Sequence, residues 1–223
     1  DEPLSNLDFK LQVRLRSQMR ELMHQLNLTT VHVTHNQSEA LETGDRIAVL
    51  DFGVTKQIGD SHSIYHRPES EFVARFIGDM NVFYGTVAAV NGAELLIESG
   101  AGKLRARAGA GGLAVGDNCA IGVRPEDLTI STGAGNWEDA YSGRLQSSRF
   151  IGEAYVHYIA VGSEVLRVKT HHRKTFAAGQ TVTITIPLDG TIAVKPDAAD
   201  YAEAGEDLVA MAGPADKREH GAH

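Results

Sequence analysis

The chain has 223 residues, with 21 Lys and Arg against 29 Asp and Glu, a formal charge of −8. That length allows one or two domains with a core of their own, and the acidic balance argues against a general nucleic-acid binder, which carries a basic stripe. The single cysteine, Cys119, excludes an intrachain disulfide framework and fits a reducing compartment, and no window approaches the ~18 consecutive apolar residues of a spanning helix.

The charge divides the chain into three blocks. Residues 1–81 hold 8 basic and 12 acidic side chains, residues 82–196 hold 11 and 10, and residues 197–223 hold 2 and 7.

The first block reads as α/β. Asp8 stands where an N-cap belongs, and Leu11, Leu15, Met19, Leu22, Met23 and Leu26 recur at three- and four-residue steps, which predicts an amphipathic helix of about five turns. Thr29–Thr34 is short and β-branched, a strand. A second helix is predicted over Gln37–Thr43, stopped by Gly44. Arg46–Leu50 and Val54–Ile58, joined by Asp51-Phe52-Gly53, read as a hairpin. Ser61 is expected to cap a short helix ending before Pro68, and Glu69–Ile77 to form another with Gly78 just past its end. Strands alternating with helices predict a mostly parallel sheet with an antiparallel edge.

The second block changes period. Short strands are predicted at Tyr84–Val90, Ala93–Ser99, Lys103–Ala108, Cys119–Val123, Leu128–Ser131, Tyr155–Val161, Val165–Thr170, Val182–Ile186 and Thr191–Val194. Strands at this spacing belong to a small barrel or sandwich, arranged as two weakly similar halves split in the Gly133–Asp139 linker. Cys119 is expected in the core. The last block is rich in Ala, Gly and acids with few apolar anchors, and is expected to be disordered.

The candidate chemistry lies in the first block. The chain opens Asp1-Glu2-Pro3-Leu4-Ser5-Asn6-Leu7-Asp8, and 27 residues after Asp8 comes His35, at the end of Val31-His32-Val33-Thr34-His35. Val31, Val33 and His35 share one face of an extended segment. His35 is the last of them, at the carboxyl end of a strand feeding a helix, where open α/β sheets bind ligands. The carboxylates and the imidazole are therefore placed to meet at one crevice; by itself, His35 reads first as a helix cap or a hydrogen-bonded core histidine. His171-His172, beside Arg173-Lys174, is the densest histidine cluster, but it lacks Cys or carboxylate partners at ligand spacing and reads as an exposed turn. With aromatics at 6% and a near-neutral second block, neither stacking platforms nor an electrostatic groove for nucleic acid is apparent.

Taken together, these residues resemble a known family. Asp1–Asp8, Val33-Thr34-His35-Asn36-Gln37-Ser38-Glu39-Ala40, Asp45–Leu50, Gly59, Ile64–Pro68 and Phe72–Gly78 closely resemble the ATP-binding subunits of ABC transporters. The run looks like the importer branch that handles sugars, polyamines, iron or sulfate. Gly122-Val123-Arg124-Pro125-Glu126-Asp127-Leu128 resembles the signature of that branch's C-terminal accessory domain. By this resemblance the expected fold is α/β, the C-terminal half of a P-loop NTPase domain, over residues 1–80. An all-β, OB-fold-like TOBE domain would follow over 81–196, then the acidic disordered tail over 197–223.

The resemblance also implies roles. Asp1 would be the Walker B aspartate holding Mg²⁺, mostly through water, and Glu2 the catalytic glutamate that positions the attacking water. His35 would be the switch histidine at the γ-phosphate. Ser5-Asn6-Leu7-Asp8 would be the loop that crosses to a second nucleotide-binding domain, with Asp8 also able to cap its helix. Asn36 stands where the family often has Asp. ATP and Mg²⁺ are the implied cofactors. The implied partners are a second ATPase subunit, two transmembrane permeases and, indirectly, an external solute-binding protein. The implied location is the cytoplasmic face of the cell membrane, with no nucleic acid involved. Phe76–Phe83 looks most like polyamine-type importers of spermidine or putrescine.

No Gly-x-x-x-x-Gly-Lys-Ser/Thr phosphate loop and no Leu-Ser-Gly-Gly-Gln stretch occurs in the 223 residues. Asp1 opens the chain inside a motif, so the sequence is expected to be a piece of a longer one, and by itself to bind nucleotide feebly. The competing reading is a β module for regulation or ligand sensing, whose role is binding; a phosphate loop encoded upstream of Asp1 would decide for the ATPase.

Overall fold

The computed structural model describes residues 2–4, 7–133, 139–171 and 176–197. Helix α1 (Phe9–Gln25) starts where the sequence places it, because the Asp8 carboxylate accepts the Leu11 N–H at 3.1 Å. Its apolar stripe is not covered. Leu11, Leu22 and Leu26 are exposed, and the buried group on this helix is Arg16, which reaches Glu42 at 3.4 Å.

The predicted strand Thr29–Thr34 does not form. The segment is extended but pairs with no strand among the described residues, and Val31 and Val33 stand 88% and 55% exposed. A strand exists only through hydrogen bonds to a neighbour, and here the single backbone link is Glu2 N–H to the Val33 carbonyl, 2.8 Å. The mostly parallel sheet expected of this block is therefore not what the described residues build.

Helix α2 (Gln37–Thr43) has the predicted limits. The hairpin β1 (Ile47–Asp51) and β2 (Val54–Gly59) is antiparallel and turns at Phe52 and Gly53, both with positive φ. Helix α3 (Ser61–His66) is capped by Asp60 rather than Ser61, and α4 (Glu71–Phe76) by Ser70, two residues later than expected. Both capping side chains accept the N–H three residues on, at 2.9 and 3.3 Å. Ile47 and Val49 of the hairpin's inner face pack on Ile64, Val73 and Ile77, a small core of five buried side chains.

From Asn81 onward the chain is β. Strands β3 (Asn81–Asn91), β4 (Glu94–Ser99), β5 (Gly102–Ala108), β6 (Asn118–Val123) and β12 (Thr191–Val194) close a barrel in the order β12-β5-β4-β3-β6. A second sheet has the order β10-β9-β8-β11-β7, from β7 (Thr129–Ser131), β8 (Ala140–Phe150), β9 (Tyr155–Val161), β10 (Glu164–Thr170) and β11 (Thr181–Thr185). Nine of these strands lie where the period-2 pattern puts them. The tenth, β8, escapes that reading because Ala-Tyr-Ser-Gly-Arg-Leu-Gln-Ser-Ser-Arg-Phe carries no β-branched residue.

The two sheets are not successive halves. β12, at the end of the described chain, closes the first barrel, and β7, before the linker, pairs with β11 in the second sheet. Alternate residues from both enter one core of twenty buried side chains running from Phe83 to Ala193, Cys119 among them. Burial pushes the Cys119 thiol up to about 11. The turns of the two sheets meet at Gly162, where φ is +60° and a Cβ would fall 2.0 Å from the Gly100 carbonyl oxygen, so no other residue fits.

Two buried polar side chains join the helices to the β strands. Arg124, past β6, donates to the carbonyls of Asp79 and Tyr65, each at 2.9 Å, and lies 4.0 Å over the Tyr65 ring. Glu71, fully buried at the start of α4, accepts from Arg75 at 2.8 Å, from the Tyr84 hydroxyl at 2.7 Å and from the Asp197 N–H at 3.1 Å. No helix among the described residues is long and apolar enough to cross a membrane.

Candidate functional site

The described part of the predicted site is a pair of side chains. His35 Nδ1 lies 2.5 Å from Glu2 Oε1, joining residues 33 apart in sequence. Both are solvent-facing, with side chains 75% and 42% exposed, so a large polar ligand can reach them. The Glu2 carboxylate, by hydrogen bond first and by charge second, raises the His35 pKa above the usual imidazole value. With Nδ1 engaged, Nε2 is the ring nitrogen left for a further partner. Asp1, Ser5 and Asn6 lie outside the described residues, so among the candidates Glu2, His35 and Asp8 have geometry to report. Asp8 caps α1 from an exposed position, and the Leu4 carbonyl accepts from Leu7 N–H and from the Gln12 side chain.

A partly buried network around Glu39 flanks His35 at the start of α2. Asn36 caps that helix through the Glu39 N–H at 3.1 Å, and its own N–H donates to Thr34 Oγ1 at 3.0 Å. The Thr34 hydroxyl donates to Glu39 Oε2 at 2.8 Å. The other carboxylate oxygen, Glu39 Oε1, lies 2.9 Å from His32 Nε2 without hydrogen-bond alignment. His35 is thus fixed by its two neighbours. The supporting roles of His32, Thr34 and Glu39 are absent from the sequence reading. Their signal was present: Asn36-x-x-Glu39 has the spacing of a capping box.

The geometry can hold an imidazole and a carboxylate together at an open edge. That arrangement suits positioning a water and contacting an anionic oxygen. Among the described residues no group of three His, Cys, Asp or Glu side chains is placed to hold a metal ion. His171 belongs to no such group, and His172 lies outside the described residues. The Gly122–Leu128 run serves elsewhere, as the joint around Arg124. There the Tyr65 hydroxyl donates to Glu126 at 2.5 Å, and burial followed by that contact pushes the phenol up to about 12.

A family model described as the TOBE domain matches residues 121–194. The chain is 33% identical over 205 residues to an uncharacterized ABC transporter ATP-binding protein of Bacillus subtilis, covering 86% of this chain and 54% of that protein. It is 44% identical over 136 residues to a xylose/arabinose import ATP-binding protein of Haloferax volcanii, covering 58% and 33%. It is 42% identical over 139 residues to a spermidine/putrescine import ATP-binding protein of Rubrobacter xylanophilus, covering 61% and 37%. The chain spans about half the length of the first of these relatives and about a third of the other two.

Proposed function

Because the chain belongs to the ATP-binding proteins of ABC importers, we propose that it is the carboxyl-terminal portion of a subunit that hydrolyses ATP to energise solute uptake. The observation that carries this reading is the contact of Glu2 with His35 at 2.5 Å on an open edge. In the proposal Glu2 orients the attacking water, and His35, held by Glu2 through Nδ1, offers Nε2 to a γ-phosphate oxygen. Bound Mg²⁺ would supply charge neutralisation at the β- and γ-phosphates, with Asp1 as the protein group holding it, mostly through water. Asp8 and the residues before it would face a second copy of the subunit.

The proposed organisation follows the sequence blocks: residues 1–80 from a P-loop NTPase domain, 81–196 an OB-fold-like TOBE domain, and 197–223 an acidic tail. The working unit is a pair of such subunits on the cytoplasmic face of the membrane, beneath two permeases fed by an external solute-binding protein. The Phe76–Phe83 run favours a polyamine such as spermidine or putrescine as the solute. Overall identity does not separate polyamine from sugar, since relatives named for each match at 42% and 44%. A neighbouring gene for a solute-binding protein, with its ligand measured, would separate them.

The test of the catalytic assignment is Glu2→Gln in the intact subunit. The amide keeps the size and the contact to His35 but loses the carboxylate. ATP binding should persist and steady-state phosphate release should fall by at least ~100-fold, within the range of a lost general base. Near-normal phosphate release would remove Glu2 from that role.

A further inference from the structure

The outer face of the second sheet departs from the charge of the chain. Its inner face is given by the buried residues Leu145, His157, Ile159, Leu166, Val168, Val182 and Ile184. Strand alternation then turns Ser142, Arg144, Arg149, Tyr158, Arg167 and Lys169 outward. Across all five strands there is one acid, Glu164, and it pairs with Val161, on the inner register. A protein of net charge −8 thus presents a sheet face with four cations and no carboxylate on its strands.

Two of the four cations are neutralised from the rim. Arg167 meets Asp79 and Lys169 meets Glu153, each at 3.2 Å. Arg144 and Arg149 are exposed and have no carboxylate partner among the described residues. The Arg149 guanidinium lies 5.3 Å from the Tyr158 ring, which orients it without cancelling its charge. Ser142 and Thr181 are also exposed on this face and add hydroxyl donors beside the two arginines.

The complementary charge is in the same chain. Residues 198–223 hold six acids and two bases, and five of the acids, Asp200, Glu203, Glu206, Asp207 and Asp216, come before either base. This segment leaves from a fixed point. The Asp197 carboxylate accepts the Phe72 N–H at 2.7 Å, and its own N–H donates to Glu71, at the start of α4. Asp79, three residues past the end of α4, holds Arg167. The path from Asp197 to Arg167 is therefore one six-residue helix plus three residues, ~20 Å. Crossing two strand spacings to Arg144 adds ~10 Å. The ten residues from Asp197 to Asp207 extend to ~33 Å, enough for Glu206 and Asp207 to reach the arginines.

We propose that the outer face of this sheet is the docking surface for the chain's own acidic segment beyond Asp197, with Glu206 and Asp207 lying on Arg144 and Arg149. Tethering at Asp197 supplies a millimolar effective concentration, which compensates for the weakness of exposed ion pairs. The docked segment would shield the face from other polyanions. The surface is separate from Glu2 and His35, so the docking is independent of whether they act on ATP.

The test uses the full chain with a nitroxide at Ala210→Cys, just past the acidic run. Cys119 stays unlabelled because it is buried with its thiol pushed up to about 11. Broadening of backbone amide signals should concentrate on Ser142–Arg149 and Val156–Arg167 and spare β4 and β5. It should disappear in ~1 M salt, where the screening length is ~3 Å, and in Arg144→Glu/Arg149→Glu, whose exposed sites leave the fold intact by circular dichroism. Inorganic polyphosphate gives a second readout. A chain ending at Asp197 should bind it ~10-fold more tightly than the full chain, because the tethered competitor is gone. Broadening that is absent, spread over the barrel, or unchanged by salt and charge reversal overturns the proposal. So does equal polyphosphate binding by the two chains, which would leave the face to an external polyanion.

Discussion

Arg124 should be worth more to this protein than any other single charged side chain. It is 1% exposed, it carries a full charge, and among the described residues it meets no carboxylate at hydrogen-bond distance. Its charge is solvated by the two carbonyls at 2.9 Å and by the face of Tyr65 at 4.0 Å. Burial pulls its pKa below the usual guanidinium value, which leaves it charged. Arg124→Ala removes two charge-assisted hydrogen bonds, ~1.5–3 kcal/mol each, and a partly desolvated cation–π contact of ~1–2 kcal/mol. It also removes the cost of burying the charge, several kcal/mol. It leaves two carbonyls to find water in the space vacated. The balance is a loss of ~2–4 kcal/mol, which at this chain length lowers Tm by ~4–16 °C. Arg124→Lys should recover little of it, because one ammonium on a flexible stem cannot reach both carbonyls and stack on the ring as a planar fork does. The assay is urea unfolding followed by far-UV circular dichroism on wild type, Arg124→Ala and Arg124→Lys. A loss below ~1 kcal/mol in the alanine variant, or full recovery by lysine, would refute the claim that this fork joins the helices to the barrel.

Other outcomes can be stated more briefly. His35→Ala in the intact subunit should cut ATP turnover while moving Tm little, since the exposed ring contributes almost no packing; a large Tm loss with unchanged turnover per folded molecule would make it a structural cap. His157 is fully buried between Ser148 at 2.8 Å and Thr170 at 3.0 Å, and burial pushes its pKa below the usual imidazole value. The unfolded chain therefore binds the proton first. The contribution of His157 is complete above the unfolded pKa of ~6.5 and declines as pH falls through it, by at most ~1.4 kcal/mol per pH unit. His157→Gln should flatten that part of the urea-midpoint profile between pH 7.5 and 5.5, and an unchanged profile would exclude it. A polypeptide of residues 81–196 should fold cooperatively, because all twenty side chains of the main core lie between Phe83 and Ala193; a flat thermal trace from a β-poor spectrum would mean that the helices belong to the same core.

What could be read from the sequence was local. Capping residues, β-branched runs and turn glycines act within a few residues of themselves. That is why α2 matched to the residue, β9 and β12 did also, and Asp8 capped the helix it was expected to cap. The Glu2 and His35 candidates were legible because their run of neighbours resembles a family, and that resemblance is a property of the string.

What depended on distant partners could not be read. Thr29–Thr34 has strand composition and forms no strand, because composition supplies side chains and not a neighbour to bond. β8 has poor strand composition and is a strand of eleven residues, because β9 and β11 lie on either side of it to take its backbone hydrogen bonds. Gly122–Leu128 was visible as a motif, yet nothing in its letters said that Arg124 would be buried against Tyr65, 59 residues earlier. The sequence by itself determined where most elements begin and end and which residue types could carry chemistry, since those depend on short-range sterics and local hydrogen bonds. Only the tertiary structure decided which strands share a barrel, that Arg124 is buried against Tyr65, and that one sheet face gathers cations without an acid. Those are contacts between residues far apart in the chain, set by packing the sheets into one core.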